Sequence, residues 1–103
     1  MLNLPGLPEA LDPKKFRRRF GGQPRVEDVK YEQRKDSTGD EAVFIWIILD
    51  DKAFAKGAIR SQLAPIEEFA AKAVAAIDAD VWPYIHFRTA SEQREIDVAP
   101  TLY

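Results

Sequence analysis

The chain has 103 residues, 46% of them apolar and 31% charged, with a formal net charge of −2 and no cysteine. That length gives one domain with room for a modest core, and the balance is that of an ordinary globular protein. Without cysteine, disulfides, thiolate metal sites, iron–sulfur clusters and thiol nucleophiles are excluded.

Charge is unevenly spread. Residues 1–25 hold six bases (Lys14, Lys15, Arg17, Arg18, Arg19, Arg25) against Glu9 and Asp12, a net +4, while residues 26–103 carry a net −6. A basic front on an acidic body predicts either an anion-binding arm or an arm folded back on its own domain. The first eight residues have no basic start followed by a long apolar run, so no signal peptide is expected. No segment is long enough to span a bilayer. The expectation is a cytoplasmic protein without membrane association. Its single domain, 1–103, divides into a basic, leucine-rich arm over 1–24, an α+β core over 25–97 and an irregular tail over 98–103.

The arm opens with Leu2, Leu4, Leu7 and Leu11. Asp12-Pro13 is a helix start: aspartate accepts from free amides, and proline at the first helical position loses no bond. Phe16 and Phe20 fall on one face of a helix over 12–20, which Gly21-Gly22 ends. Two turns are marginal alone, so the phenylalanines must dock, and the bare face of a sheet is the expected dock.

Residues 25–34 read as a half-exposed edge strand, with Val29 and Tyr31 on one face and charges dominating the other. The polar stretch 36–41 is a loop that returns the chain as a hairpin. Then come eight unbroken apolar residues, Ala42-Val43-Phe44-Ile45-Trp46-Ile47-Ile48-Leu49, ended by Asp50-Asp51. Their β-branched and aromatic content predicts a strand, and apolarity at every position predicts burial on both sides.

From Ile59 the spacing changes to that of a helix: Ile59, Leu63, Ile66, Ala70, Ala73, Val74 and Ile77 share a face. Pro65 marks its expected true first turn, with residues 59–64 as a short preceding turn, and Asp78-Ala79-Asp80 ends it. Val81-Trp82-Pro83 reads as a break, and residues 84–89 as a third strand. Thr89-Ala90-Ser91-Glu92 has capping-box spacing, predicting a terminal helical turn to about Ile96.

The fold class is therefore α+β, in the order α-β-β-α-β. A strand–helix–strand unit places its strands parallel, so the third strand lies beside the apolar one. This predicts a three-stranded mixed sheet of order 1-2-3, the main helix on one face. The short helix, the leucine leader or another molecule must cover the other.

Three constellations carry possible functions. The crossover brings the ends of the second and third strands together, so Asp50, Asp51 and Glu92, with Arg88 nearby, could hold a divalent metal beside a phosphate. A solvated strand end and a helix cap explain the same residues. Lys14, Lys15, Arg17, Arg18, Arg19 and Arg25 could neutralise phosphates of a nucleic acid, or solvate a helix that pairs with the acidic body. His86, the single histidine, lies on a strand without a nucleophile elbow and is read as carrying no catalytic duty. Trp46 and Trp82 read as core residues, an exposed Trp46 being instead an interface anchor.

The leading expectation is a non-catalytic protein-interaction module, acting as a homodimer or as companion to another protein, with no cofactor. Its interface would use Phe16, Phe20, Phe44, Trp46 and Ile48, because so little chain is left to cover the sheet. The alternatives are a nucleic-acid-associated protein and a metal-dependent phosphodiesterase.

Overall fold

A computed structural model describes residues 4–20, 25–52 and 60–98. Along these residues run α1 (Leu7–Ala10), α2 (Pro13–Phe20), β1 (Val26–Lys35), β2 (Glu41–Leu49), α3 (Arg60–Ile77), β3 (Trp82–Thr89) and α4 (Ala90–Val98). The strands form one sheet of order β1-β2-β3. β1 and β2 are antiparallel, from Val26 opposite Leu49 to Lys35 opposite Glu41, with a bulge between Val26 and Asp28. β2 and β3 are parallel, from Ala42 beside Trp82 to Leu49 beside Thr89. The fold is thus the α+β mixed sheet that the sequence implies, with the apolar strand in the middle.

The core lies on one face. Val43, Ile45, Ile47 and Leu49 alternate along β2 and are all 0% exposed. They cluster with Ile66, Ala70 and Val74 of α3, and with Leu4, Leu7, Leu11 and Phe16 of the arm. α3 lies against β3 while α2 lies against β1, so two helices divide the width of a single face. Phe16 and Phe20 both meet Phe69 of α3 edge-on, at 5.0 and 5.4 Å between ring centroids. This corrects the expected dock of the short helix. It joins the face that α3 already occupies, because α3 lies against β3 and leaves the β1 side of that face open.

The complementary correction concerns β2 itself. Ala42 and Ile48 on its other face are buried, but Phe44 and Trp46 between them are only half-buried. Apolarity at every position of β2 therefore does not mean equal shielding on both sides.

Local chemistry sets the boundaries. Asp12 Oδ1 accepts from the Lys14 N–H at 2.9 Å, the expected cap of α2. α3 starts before Pro65, which sits inside it rather than in its first turn. Proline forgoes only one backbone bond there, and packing of Ile66, Ala70 and Val74 holds the helix. Asp78 Oδ1 accepts from the Asp80 N–H and turns the chain after α3. β3 begins at Trp82 and includes Pro83, which an edge strand tolerates because it has bonding partners on one side only. The capping box closes as drawn: Glu92 N–H donates to Thr89 Oγ1 and Thr89 N–H to Glu92 Oε1, both at 3.1 Å. α4 then continues past the expected Ile96 to Val98. Leu2, the Gly21-Gly22 stop, Ile59 and the tail 99–103 lie outside the described residues. No described helix is long and apolar enough to cross a membrane.

Removing the arm's anchor tests this packing. Phe16→Ala leaves a cavity against Phe69 and lowers unfolding free energy by about 3–5 kcal/mol. Thr89→Ala removes one helix cap and costs about 1 kcal/mol. Urea denaturation of each variant measures both, with the larger loss at Phe16.

Candidate functional site

The second face of the sheet is where the fold spends aromatic residues without burying them. Register places Asp28, Ile48 and Arg88 in one row, then Lys30, Trp46 and His86, then Glu32, Phe44 and Tyr84, then Arg34, Ala42 and Trp82. These positions alternate with the core positions along each strand, which fixes their common side.

Two ladders cross this face. The Arg34 guanidinium lies 3.9 Å from the Phe44 ring centroid, and Phe44 stacks on Tyr84 at 4.9 Å with 11° between planes. Tyr84 Oη donates to Asp36 Oδ2 at 2.9 Å, tying the ladder to the hairpin loop. Beside it, Arg88 sits 5.2 Å from the Trp46 ring, and Trp46 stacks on His86 at 6.1 Å. Arg88 is held in turn by Gln93 of α4, which accepts at 3.1 Å and itself donates to Asp97. The rings turn their faces to one another and to guanidinium groups, so their edges and the guanidinium rims form the outer surface.

Trp82 closes the face at the hairpin end and is 62% exposed, correcting its expected place in the core. Its neighbour across β2 is the small Ala42, which gives it nothing to stack on. With Tyr84, Asp36, Thr38, Asp40, Glu41 and Asp80 it lines a recess of about 430 Å³.

Asp36 is the most perturbed titrating group here. Its carboxyl is lowered from 3.8 to about 2, chiefly by the Thr38 hydroxyl, with burial opposing and Tyr84 and the Thr38 and Asp40 amides adding. The Tyr84 phenol is raised, foremost by its own hydrogen bond to Asp36. One oxygen, Oδ1, gathers the Thr38 N–H at 2.9 Å and the Asp40 N–H at 3.1 Å, while Gly39 takes a φ of 87° that suits glycine.

The residues singled out by sequence are dispersed. Phe44, Trp46 and Ile48 share the second face, whereas Phe16 is fully buried in the core on the opposite face and Phe20 packs beside it. The bases of the arm divide. Arg17 is spent on the β1 backbone, donating to Val26 O at 2.9 Å and Glu27 O at 3.3 Å, and Arg25 pairs with Glu27 at 3.3 Å. Lys14, Lys15, Arg18 and Arg19 remain exposed. The carboxylates proposed for a metal serve as caps. Asp50 accepts from the Lys52 N–H, Glu92 from Thr89, and Asp51 from both the N–H and hydroxyl of Ser91, with Arg94 at 3.7 Å. The Asp51 carboxyl is lowered, first by the Ser91 hydroxyl. Among the described residues no group of three or more His, Asp or Glu is arranged to hold a metal ion.

Sequence reading missed Arg34 and Tyr84 as members of the face. The signal was available in alternation: once β3 pairs parallel with β2, residues 82, 84, 86 and 88 fall beside 42, 44, 46 and 48. No protein-family model, curated protein or solved structure matches the chain.

Asp36 makes a pH prediction. Its folded pKa lies below the ordinary value, so its stabilisation is full above 3.8 and is lost as pH falls through about 2. Carbon-detected NMR titration should place the wild-type midpoint near 2, and Thr38→Ala should move it up toward 3.8 by more than Tyr84→Phe does. Asp36→Asn should flatten the acid limb of the stability curve.

Proposed function

We propose that this protein is a non-catalytic interaction module, an accessory subunit that docks another protein on the second face of its sheet. The observation that carries this reading is the half-burial of Phe44 and Trp46 in the middle strand. A central strand is where a sheet is most shielded, and aromatic residues left part-open there are the side chains that dominate binding hot spots. Their rims, with those of Tyr84 and His86, offer an apolar strip. Arg34 and Arg88 flank it with guanidinium groups already oriented by stacking, which lowers the entropy lost on binding. The partner this suits is a segment of apolar side chains bordered by carboxylates, which take arginine in bidentate fashion.

The rival reading, nucleic-acid binding, draws support from the exposure of Lys14, Lys15, Arg18 and Arg19 on α2. On the aromatic face it finds less. Bases stack on free ring faces, and here the faces of Phe44 and Trp46 already meet Tyr84, His86 and arginine.

Peptide display against the folded protein tests the reading. Selected peptides should combine apolar residues with aspartate or glutamate, and Trp46→Ala should weaken them by about thirtyfold, the loss of a hot spot worth about 2 kcal/mol. Binders indifferent to Trp46 and Arg34 would overturn it. In parallel, single-stranded DNA at low salt should bind weakly. A salt slope that becomes shallower when Lys14, Lys15, Arg18 and Arg19 are replaced by alanine would favour the rival.

A further inference from the structure

The outer edge of β1 carries a charge sequence that is its own complement. The charged residues of β1 are Glu27, Asp28, Lys30, Glu32, Arg34 and Lys35. Reversing the strand about Tyr31 sets Glu27 against Lys35, Asp28 against Arg34 and Lys30 against Glu32. Every pair is of opposite sign. A slip of two residues is the smallest that keeps each side chain on its own face. In one direction it sets Lys30 against Lys30 and Asp28 against Glu32. In the other it sets Glu32 against Glu32 and Lys30 against Arg34.

β1 is an edge strand whose far side is joined by no described strand. The Asp36 N–H donates across the hairpin to Asp40 O at 2.9 Å, so by alternation, up to the bulge at Val26–Asp28, the even-numbered residues 28–34 bond toward β2 and the odd-numbered ones between them point outward. Two contacts agree with that direction. The Val29 N–H is taken by Asp28 Oδ1 at 2.8 Å, and Glu27 O by Arg17 Nη1 at 3.3 Å.

We infer that β1 pairs antiparallel with β1 of a second copy about a two-fold axis at Tyr31, joining two three-stranded sheets into one of six strands. Tyr31, 36% exposed, meets its own counterpart at the axis. Arg17 closes the Val26–Glu27 end of each edge, so pairing extends over residues 28–34. Charged edges ordinarily deter strand addition, because a charge facing an incoming strand is left unpaired or repelled. Here one register turns that deterrent into selection for a copy of the same strand, an isologous contact. The contacts it must displace are exposed ion pairs and, for Arg34, the stack on the Phe44 ring at 3.9 Å. Lys30 lies 3.8 Å from Asp28 and Arg34 3.6 Å from Glu32, as exposed pairs within the strand. Asp28 also exchanges the Val29 amide for Arg34 of the other copy. The pairing needs no docked partner: it uses the outer backbone edge of β1 and the charged side chains that border the aromatic face, Arg34 among them.

Light scattering and sedimentation of the full chain at micromolar concentration test this, with circular dichroism confirming that each variant is folded. The wild type should have twice the mass of one chain. Lys30→Glu and Glu32→Lys should each weaken self-association on the order of tenfold, because each turns two opposite-sign pairs into like-sign pairs. Mixed together, the two variants should form a heterodimer as tight as the wild-type dimer, since their charges again complement. Trp46→Glu should leave the dimer intact. A monomeric wild type, variants that dimerise unchanged, or a mixture that stays monomeric would each overturn the pairing. So would a dimer lost in Trp46→Glu and kept in Lys30→Glu, which would put the second copy on the aromatic face.

Discussion

One strand sets the terms for the rest of the molecule. β2 is bonded on both edges and apolar on both faces, yet the described helices α1, α2 and α3 all pack on one side of it. A three-stranded sheet with one helical layer is the least material that shields Val43, Ile45, Ile47 and Leu49 completely. The arm completes that layer, because α3 lies against β3 and spans only part of the sheet. Shielding of one side is thereby achieved at the expense of the other.

The other face manages its exposure without a layer of its own. Phe44 and Trp46 are sandwiched laterally by Tyr84, His86 and two arginines, so each ring covers its neighbour and little apolar face meets water. Stacked guanidinium groups are suited to this because they are planar and weakly hydrated. Asp36 anchors one ladder and Gln93 the other, so both ends of the face are tied to the loop and helix that bound it. A surface ordered in this way holds its ring edges and guanidinium groups in fixed places. The same order leaves few free ring planes for bases.

Edge and face of the sheet meet at Arg34, which stacks on Phe44 and stands in the charged row of β1. The face offers rims and guanidinium groups, while the β1 edge offers backbone groups in a frame of alternating charge. Joining two copies along β1 would lay the two aromatic faces side by side, because a two-fold axis normal to the sheet preserves sidedness.

The amino-acid sequence alone determined the elements whose signals are local. Asp12-Pro13 and the Thr89–Glu92 box are short-range hydrogen-bond chemistry, the 59–77 periodicity is one helix face, and Ala42–Leu49 is too apolar to be anything but a middle strand. Those signals gave the α+β order and the 1-2-3 sheet. Only tertiary structure decided what covers what. Phe16 and Phe20 show that a residue must be buried without saying against which partner, since either face of a sheet satisfies an apolar ring. The half-burial of Trp46 and the exposure of Trp82 depend on neighbours from other strands, and the carboxylates at 50, 51 and 92 became caps because nearby amides reach them first. Local pattern fixes which groups need partners; long-range packing assigns them, because that choice rests on the shape of the whole layer.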